Sequence, residues 1–488
     1  MTSESPYANR NKLFLGSCFS LIATSVCFAV VGGVMGALKQ QFILSNEQVG
    51  LIGGAALWGF SISIIPLGLL CDTIGMKNLL RFAFLCHLAG ALIMIFASGF
   101  WMLFCGALVL SLGNGTVEAA CNPLVVTLYP EQKTRKLNHF HVWFPGGIVI
   151  GGLVTYAMDW LNIGNWQWKI ALIIVPAIIY GWLMLRETFP QTERVQKGIS
   201  FEGMVKAAFL SPLFWALFIC MGITASLELG PNRWVPAVLE SGGMPGILVL
   251  VYITGLMAVL RQFAGPVIHK LSPIGVMLFS SIVTGASLYW MSSAETLSIA
   301  FASATFFAIG ACYMWPTMIG IASERIPESG ALGLGMLGGM GMLVAGAITS
   351  PMMGTVADRY LHEHLPVAET VSVLEQVSDQ YPVFAANVSE EIIRAEILGA
   401  KSGVDAVLES YKTSGTLPKD QTANAMRNAI TNAPAEAASI RDTLSGILGP
   451  SDNYGGRMSF RYVAPFAIIP IAFFAAIFLL DKRRVARP

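Results

Sequence analysis

Long apolar runs separated by short polar breaks set the pattern of this chain. Twelve of them are predicted to be helices, near residues 12–38, 48–71, 79–98, 99–127, 137–158, 168–186, 210–237, 245–269, 273–292, 296–321, 330–356 and 459–481. Each is close to the ~20 residues that cross a ~30 Å hydrocarbon layer. The expected fold class is therefore all-α, a polytopic membrane protein of twelve transmembrane helices. The polar stretch 187–209, with Pro190, Gly198 and charges of both signs, divides them into two six-helix halves. The first half is residues 1–186; the second is 210–356 together with 459–488. Residues 357–458 break the pattern. From Tyr360 to Met458 they carry 13 acidic and 7 basic residues, with helical patterns over Val371–Ser378 and Ser389–Ser410. A hundred-residue structureless loop is uncommon, so a small helical insert is expected there.

Composition supports the membrane reading. Of 488 residues, 55% are hydrophobic and only 12% charged, against about 25% charged in soluble domains. The net charge of +1 gives no field for nucleic acid. The eight cysteines all lie in or at the ends of apolar runs without metal-site spacing and read as small hydrophobes. No metal and no cofactor is expected. The short polar start, Met1 to Asn11, precedes an apolar run too long for a cleaved signal, which is expected to stay as the first helix.

Lysine and arginine fix the orientation, because cytoplasmic loops are enriched in them. With the N-terminus inside, the inner loops hold Arg10, Lys12, Lys77, Arg81, Lys133, Arg135, Lys136, Arg194 and Lys197 among others. The outer loops hold only Lys39, Lys169 and Arg233. Both termini are thus expected in the cytoplasm and the insert on the outer face of a cell inner (plasma) membrane.

Ionisable groups deep in the apolar runs carry the candidate chemistry. Asn114, Glu118 and Asn122 are spaced four apart, which puts them on one helical face near mid-membrane. A carboxylate at that depth is costly when charged and usually faces the bundle interior. Glu118 is therefore a candidate to carry a proton and to accept hydrogen bonds from a solute. Glu228 is the other deep acid. Asn232 lies four residues beyond it, and Pro231 is expected to loosen the helix between them and free backbone carbonyls. His141 is a candidate proton relay. Trp315 is an aromatic candidate for stacking on a solute, and Trp143, at the start of helix 5, is a further candidate binding residue. Glycines between Gly333 and Gly346, and Gly147 with Gly151, predict close helix packing. No nucleophile–base constellation, metal spacing or phosphate loop is present, so an enzyme is not expected.

Two stretches carry a resemblance. Residues 68–77 read Gly68-Leu-Leu-Cys-Asp72-Thr-Ile-Gly75-Met-Lys77. Gly68, Leu70, Asp72, Gly75 and Lys77 match the loop 2–3 signature of the major facilitator superfamily, while Thr73 and Met76 stand where that family has arginine. In the family the aspartate helps latch one gate state, and here it is expected to face the positive N-terminal end of helix 11. The fourth helix reads Gly113-Asn-Gly-Thr-Val-Glu118-Ala-Ala-Cys-Asn122-Pro123, followed by Leu137-Asn138. This resembles the fucose/glucose–proton symporter family, as do the spacing of Glu228 to Trp234 and Arg261 with Gly265. The resemblance implies Asn138 as a binding residue and Arg261 as a gating one. It departs in helix 1, where the family's Asn-Asp is replaced by Val31-Gly-Gly-Val-Met-Gly36.

The resemblance implies a monomeric secondary transporter that imports a monosaccharide, a hexose, together with protons, with the solute held between the halves near the bilayer midplane. Two rival expectations remain open. One is a uniporter or exporter of another small organic solute. The other is a membrane sensor that uses the insert as its ligand-binding domain.

Overall fold

The computed structural model describes residues 9–42, 44 and 46–485, with no strand among the described residues. Residues 1–8 of the polar N-terminal stretch lie outside them. Four rods come first: α1 (Arg10–Phe42), α2 (Asn46–Leu69), α3 (Met76–Ile95) and α4 (Phe100–Leu128). Helix α5 bends at Val142 between Lys133–His141 and Trp143–Trp160, and α6 comprises Trp166–Ala171 and Ile174–Met184. The second set opens with α7 (Pro212–Ser241) and α8 (Gly246–Gln262). Helix α9 is the rod within Ala264–Met291 that follows a break at Ser272. Next come α10 (Leu297–Ala311 and Met314–Arg325) and α11 (Gly330–Val344, a wide turn at Ala345–Thr349, then Ser350–His364). Helix α12 runs Ala438–Val463, turns through Ala464–Ala467 and continues as Ile468–Val485.

Eleven helical segments among the described residues are long and apolar enough to span a bilayer, and the shorter Gly246–Gln262 adds a twelfth. The break between α8 and α9 follows from sequence. Ser272 precedes Pro273, whose ring disfavours the helical conformation in the residue before it, and Ser272 takes φ 61°. Helix α7 starts where Pro212 needs no N–H partner and the Ser211 hydroxyl accepts from Phe214 N–H at 3.2 Å. It stays helical across Pro231 and Pro236, although each proline lacks the N–H that would bond the carbonyl four residues before it.

Within the first six helices, α4 packs between α2 and α3, and α1 lies along α5 and α6. Within the last six, α7 packs on α8 and α11, and α9 packs on α10 and α12. The two sets meet where α2 crosses α11, α5 crosses α8, and the start of α5 meets the end of α10. The α2–α11 crossing is a seam of small residues. A Cβ on Gly68 would lie 2.9 Å from the Ala331 carbonyl oxygen, and one on Gly335 2.7 Å from that of Ile64. Ser61 donates across the same seam to the Gly339 carbonyl at 3.3 Å. Gly147 and Gly151 bring α5 against α1 in the same way, as their spacing predicts.

Between α11 and α12 the chain forms three helices, Val367–Ala386, Glu391–Ser414 and Lys419–Thr431. They bury their own apolar cluster, including Val373, Val377, Tyr381, Val404, Met426 and Leu444, separate from that of the bundle. Both α11 and α12 run into this cluster, through Leu361 and Leu448. Arg457 on α12 fastens its base, bonding Asn453 at 2.9 Å and Glu295 at 3.1 Å, while Asn453 donates to the Val238 carbonyl at 2.6 Å. The insert's packing partners are thus helices of the second half.

Gly335→Val puts side-chain atoms into the Ile64 backbone, which cannot retreat as a flexible side chain does. Solute uptake is expected to fall about tenfold or more while the purified protein stays monodisperse. Unchanged uptake would show that the seam tolerates separation during turnover.

Candidate functional site

A cavity lies where the two halves meet at mid-bundle. Its lining comes from seven helices: Phe60 of α2, Glu118 of α4, His141 and Phe144 of α5, Glu228 and Leu229 of α7, Arg261 of α8, Trp315 of α10 and Met342 of α11. Two polar groups face each other across it. On the first half, Asn122 Nδ2 donates to Glu118 Oε2 at 2.6 Å, and Asn122 Oδ1 lies 3.2 Å from His141 Nε2. His141 Nδ1 lies 3.8 Å from Glu118 Oε1. On the second half, Arg261 Nη2 donates to Glu228 Oε1 at 2.9 Å. The side chains of this pair are only 2% and 5% exposed, so their charges compensate each other in a low dielectric.

Arg261 has two further acceptors, the Cys312 carbonyl at 2.5 Å from Nε and the His141 carbonyl at 3.0 Å from Nη1. The second of these crosses between halves. Several polar atoms at the cavity remain unpaired in the described structure: Glu228 Oε2, Trp315 Nε1 and, one turn along α7, Asn232 Oδ1. Buried polar atoms are rarely left so. Together with the faces of Phe60, Phe144 and Trp315, they form a surface of hydrogen-bonding groups and aromatic rings with no internal partner.

The structure brings together Glu118, Asn122, His141, Glu228, Trp315 and Arg261. Arg261, expected at a gate, belongs to the cavity wall. Asn114, expected with Glu118 and Asn122, is engaged elsewhere: its Oδ1 lies 3.0 Å from His87 Nε2, and His87 Nδ1 lies 3.2 Å from the Tyr180 hydroxyl. At eight residues' separation from Asn122 it is two turns away, and it ties α4 to α3 and α6 instead. Asn138 sits at the junction of α5 and α10, donating to the Thr134 carbonyl at 2.9 Å and to Thr317 Oγ1 at 3.2 Å. Trp143 turns outward at 36% exposure and is not among the residues lining the cavity. Phe60, Phe144, Leu229 and Met342 carried no sequence signal, because an apolar residue in an apolar helix does not reveal which way it faces.

A cluster of charged groups lies at the linker end of the bundle. Asp72, at the end of the loop 2–3 signature, accepts from Arg194 Nε at 2.6 Å and from the Thr192 hydroxyl. Its bonded partners are therefore in the linker between the halves, where the sequence pointed to the start of helix 11. Arg194 reaches that helix start by packing: its side chain lies beside Gly330. Lys133 bonds Glu193 at 2.8 Å and the Ser323 carbonyl at 3.1 Å. Thr134 Oγ1 donates to Glu324 at 2.5 Å. The linker is thus a clasp joining both halves below the cavity. Gly75 takes φ 85°, where a glycine avoids the strain a Cβ would meet, and so turns the chain from the Asp72 helix into α3. Lys77 forms no ion pair in the described structure. Nearby, the Lys12 ammonium at 2.5 Å and the Asn9 amide hold the Glu187 carboxyl below the usual carboxylate range.

The model of the Major Facilitator Superfamily matches residues 13–350. The chain belongs to this superfamily of transporters. A putative niacin/nicotinamide transporter, NiaP, of Bacillus subtilis is 23% identical over 351 residues, covering 68% of this chain and 85% of that one. The L-fucose-proton symporter of Escherichia coli is 23% identical over 376 residues, covering 69% and 84%. In fold, the Escherichia coli fucose:proton symporter FucP aligns at TM-score 0.59 with 17% identity over 71% of this chain and 92% of its own. A bacterial homologue of the human lysosomal transporter Spinster aligns at TM-score 0.59 with 16% identity over 97% of both chains. The superfamily member described here is therefore a multi-pass membrane transporter.

Arg261→Gln leaves the Glu228 carboxylate buried without its partner, which costs about 3–5 kcal/mol. Its unfolding midpoint in detergent is expected to fall clearly, and Glu228→Gln added to Arg261→Gln is expected to recover most of the loss. Additive losses would deny the pairing.

Proposed function

We propose that this transporter is a secondary active importer of a monosaccharide, driven by protons and working by alternating access. The observation that carries the reading is the composition of the cavity. The second Glu228 oxygen, left free by the Arg261 pairing, and the Trp315 indole N–H stand beside the rings of Phe60 and Phe144, and this combination suits the alternating hydroxyls and C–H face of a sugar. Beside it, Glu118 and His141 form a buried acid–base pair whose protonation changes the charge of the cavity. That pair supplies the coupling group which the acid-free α1 lacks. Glu228, tied to Arg261, serves as a solute ligand and as the second candidate for coupling.

In this reading the Asp72–Arg194 clasp and the α2–α11 seam close the linker end of the cavity. Both termini lie in the cytoplasm, and the insert stands on the outer face of the inner membrane, in keeping with the bias of basic residues toward the linker side. Solute and proton enter from the insert side. Neutralising Glu118 then favours the rearrangement that breaks the clasp and releases both on the linker side. The insert is peripheral to this cycle.

Glu118→Gln fixes the neutral form and is expected to abolish accumulation against a gradient while sparing counterflow exchange of labelled solute. Gradient-driven accumulation at the unmodified rate would sink the coupling role. Asp72→Asn weakens the clasp, and a cysteine placed at Thr127 is expected to become more reactive to a membrane-impermeant maleimide from the linker side. Equal labelling in both backgrounds would remove Asp72 from the gate.

A further inference from the structure

Arg233 on α7 is a cation that the cavity described above does not use. Its position is fixed by the neighbours of α7 on the insert side of Glu228. Helix α11 covers one side, where a Cβ on Gly230 would lie 2.8 Å from Thr349 and Gly354 sits beside Trp234. Gly456 of α12 packs on Val238 behind, and Gly246 at the start of α8 packs on Pro236. Arg233 takes the side left over. It stands one turn beyond Leu229, on the same face, and Leu229 lines the cavity. The Arg233 side chain is exposed and has no hydrogen bond or ion pair among the described residues.

An arginine inside a spanning helix keeps its charge and needs water or an anion. Arg233 lies about 7.5 Å further along the axis than Glu228, at 1.5 Å per residue. That distance suits a solute with hydroxyls at one end and a charge at the other. The charge count agrees. Arg233 and Arg261 stand against Glu118 and Glu228, and a proton on Glu118 leaves a net single positive charge, which one carboxylate matches.

We propose that Arg233 binds a carboxylate on the transported solute, which is then a monosaccharide acid of the hexuronate class. This rests on the reading of the cavity as a proton-driven monosaccharide site. The guanidinium offers two parallel N–H donors to a carboxylate, whereas a neutral hexose leaves it unpaired.

The test is uptake of labelled D-glucuronate and D-glucose by proteoliposomes under an inward proton gradient. Glucuronate is expected to accumulate. Arg233→Gln is expected to lower its uptake about tenfold or more below half-saturation, and Arg233→Lys, which keeps the charge but not the paired donors, is expected to fall between that variant and the unmodified protein. Transport of glucose but not glucuronate, or an unaffected Arg233→Gln, overturns the proposal and leaves the monosaccharide reading standing. Transport of neither sugar overturns both. Should Arg233→Gln fail to fold, competition on the unmodified protein decides. Unlabelled galacturonate in excess, but not galactose, is expected to suppress glucuronate uptake, and equal suppression overturns the proposal.

Discussion

The Arg261 guanidinium must be paired at every N–H that faces a low-dielectric interior, and the centre of the molecule is arranged around that demand. An arginine there is tolerable only when acceptors surround it. Glu228 supplies one charge, and the carbonyls of Cys312 and His141 supply two more acceptors. These partners come from α7, α10 and α5, so one side chain on α8 ties three other helices together. The bonds to Glu228 and Cys312 lie within the second half and travel with it. The bond to His141 joins the halves and must be released when they move apart. Because His141 also stands beside Glu118, the group that links the halves and the group that can carry a proton share one residue.

The linker side shows a different kind of contact. There the halves meet through backbone packed against glycine at Gly68 and Gly335, and through the largely buried ion pairs Asp72–Arg194 and Lys133–Glu193. A buried pair resists the loss of either partner, while a glycine seam holds no deep interlock. The insert, with its own apolar cluster and an arginine-fastened base, is attached to helices of the second half.

How legible this was from sequence depended on the kind of signal. Span positions followed largely from hydropathy, because a bilayer imposes helix length and excludes charge, while the break at Ser272 follows from Pro273. Glu118 and Asn122 were found together because a helical spacing of four places them on one face. The same rule misplaced Asn114: it fixes a face but not which neighbour covers each turn, and His87 occupies the turn that Asn114 reaches. Asp72 was expected to face the start of helix 11, but its partner Arg194 lies in a linker whose path no periodicity encodes. Arg261 was expected at a gate only through the family resemblance of Arg261 with Gly265. Its role in the cavity appears only once Glu228, 33 residues earlier, is folded against it.

The central claim is that solute and proton move together through the Glu118–His141 site. It is tested most directly by proteoliposomes in weakly buffered medium with no imposed gradient, with external pH recorded as a hexose or hexuronate is added. The account predicts alkalinisation outside that starts with solute entry and is lost in Glu118→Gln. Solute entry at full rate without any change in pH would contradict it.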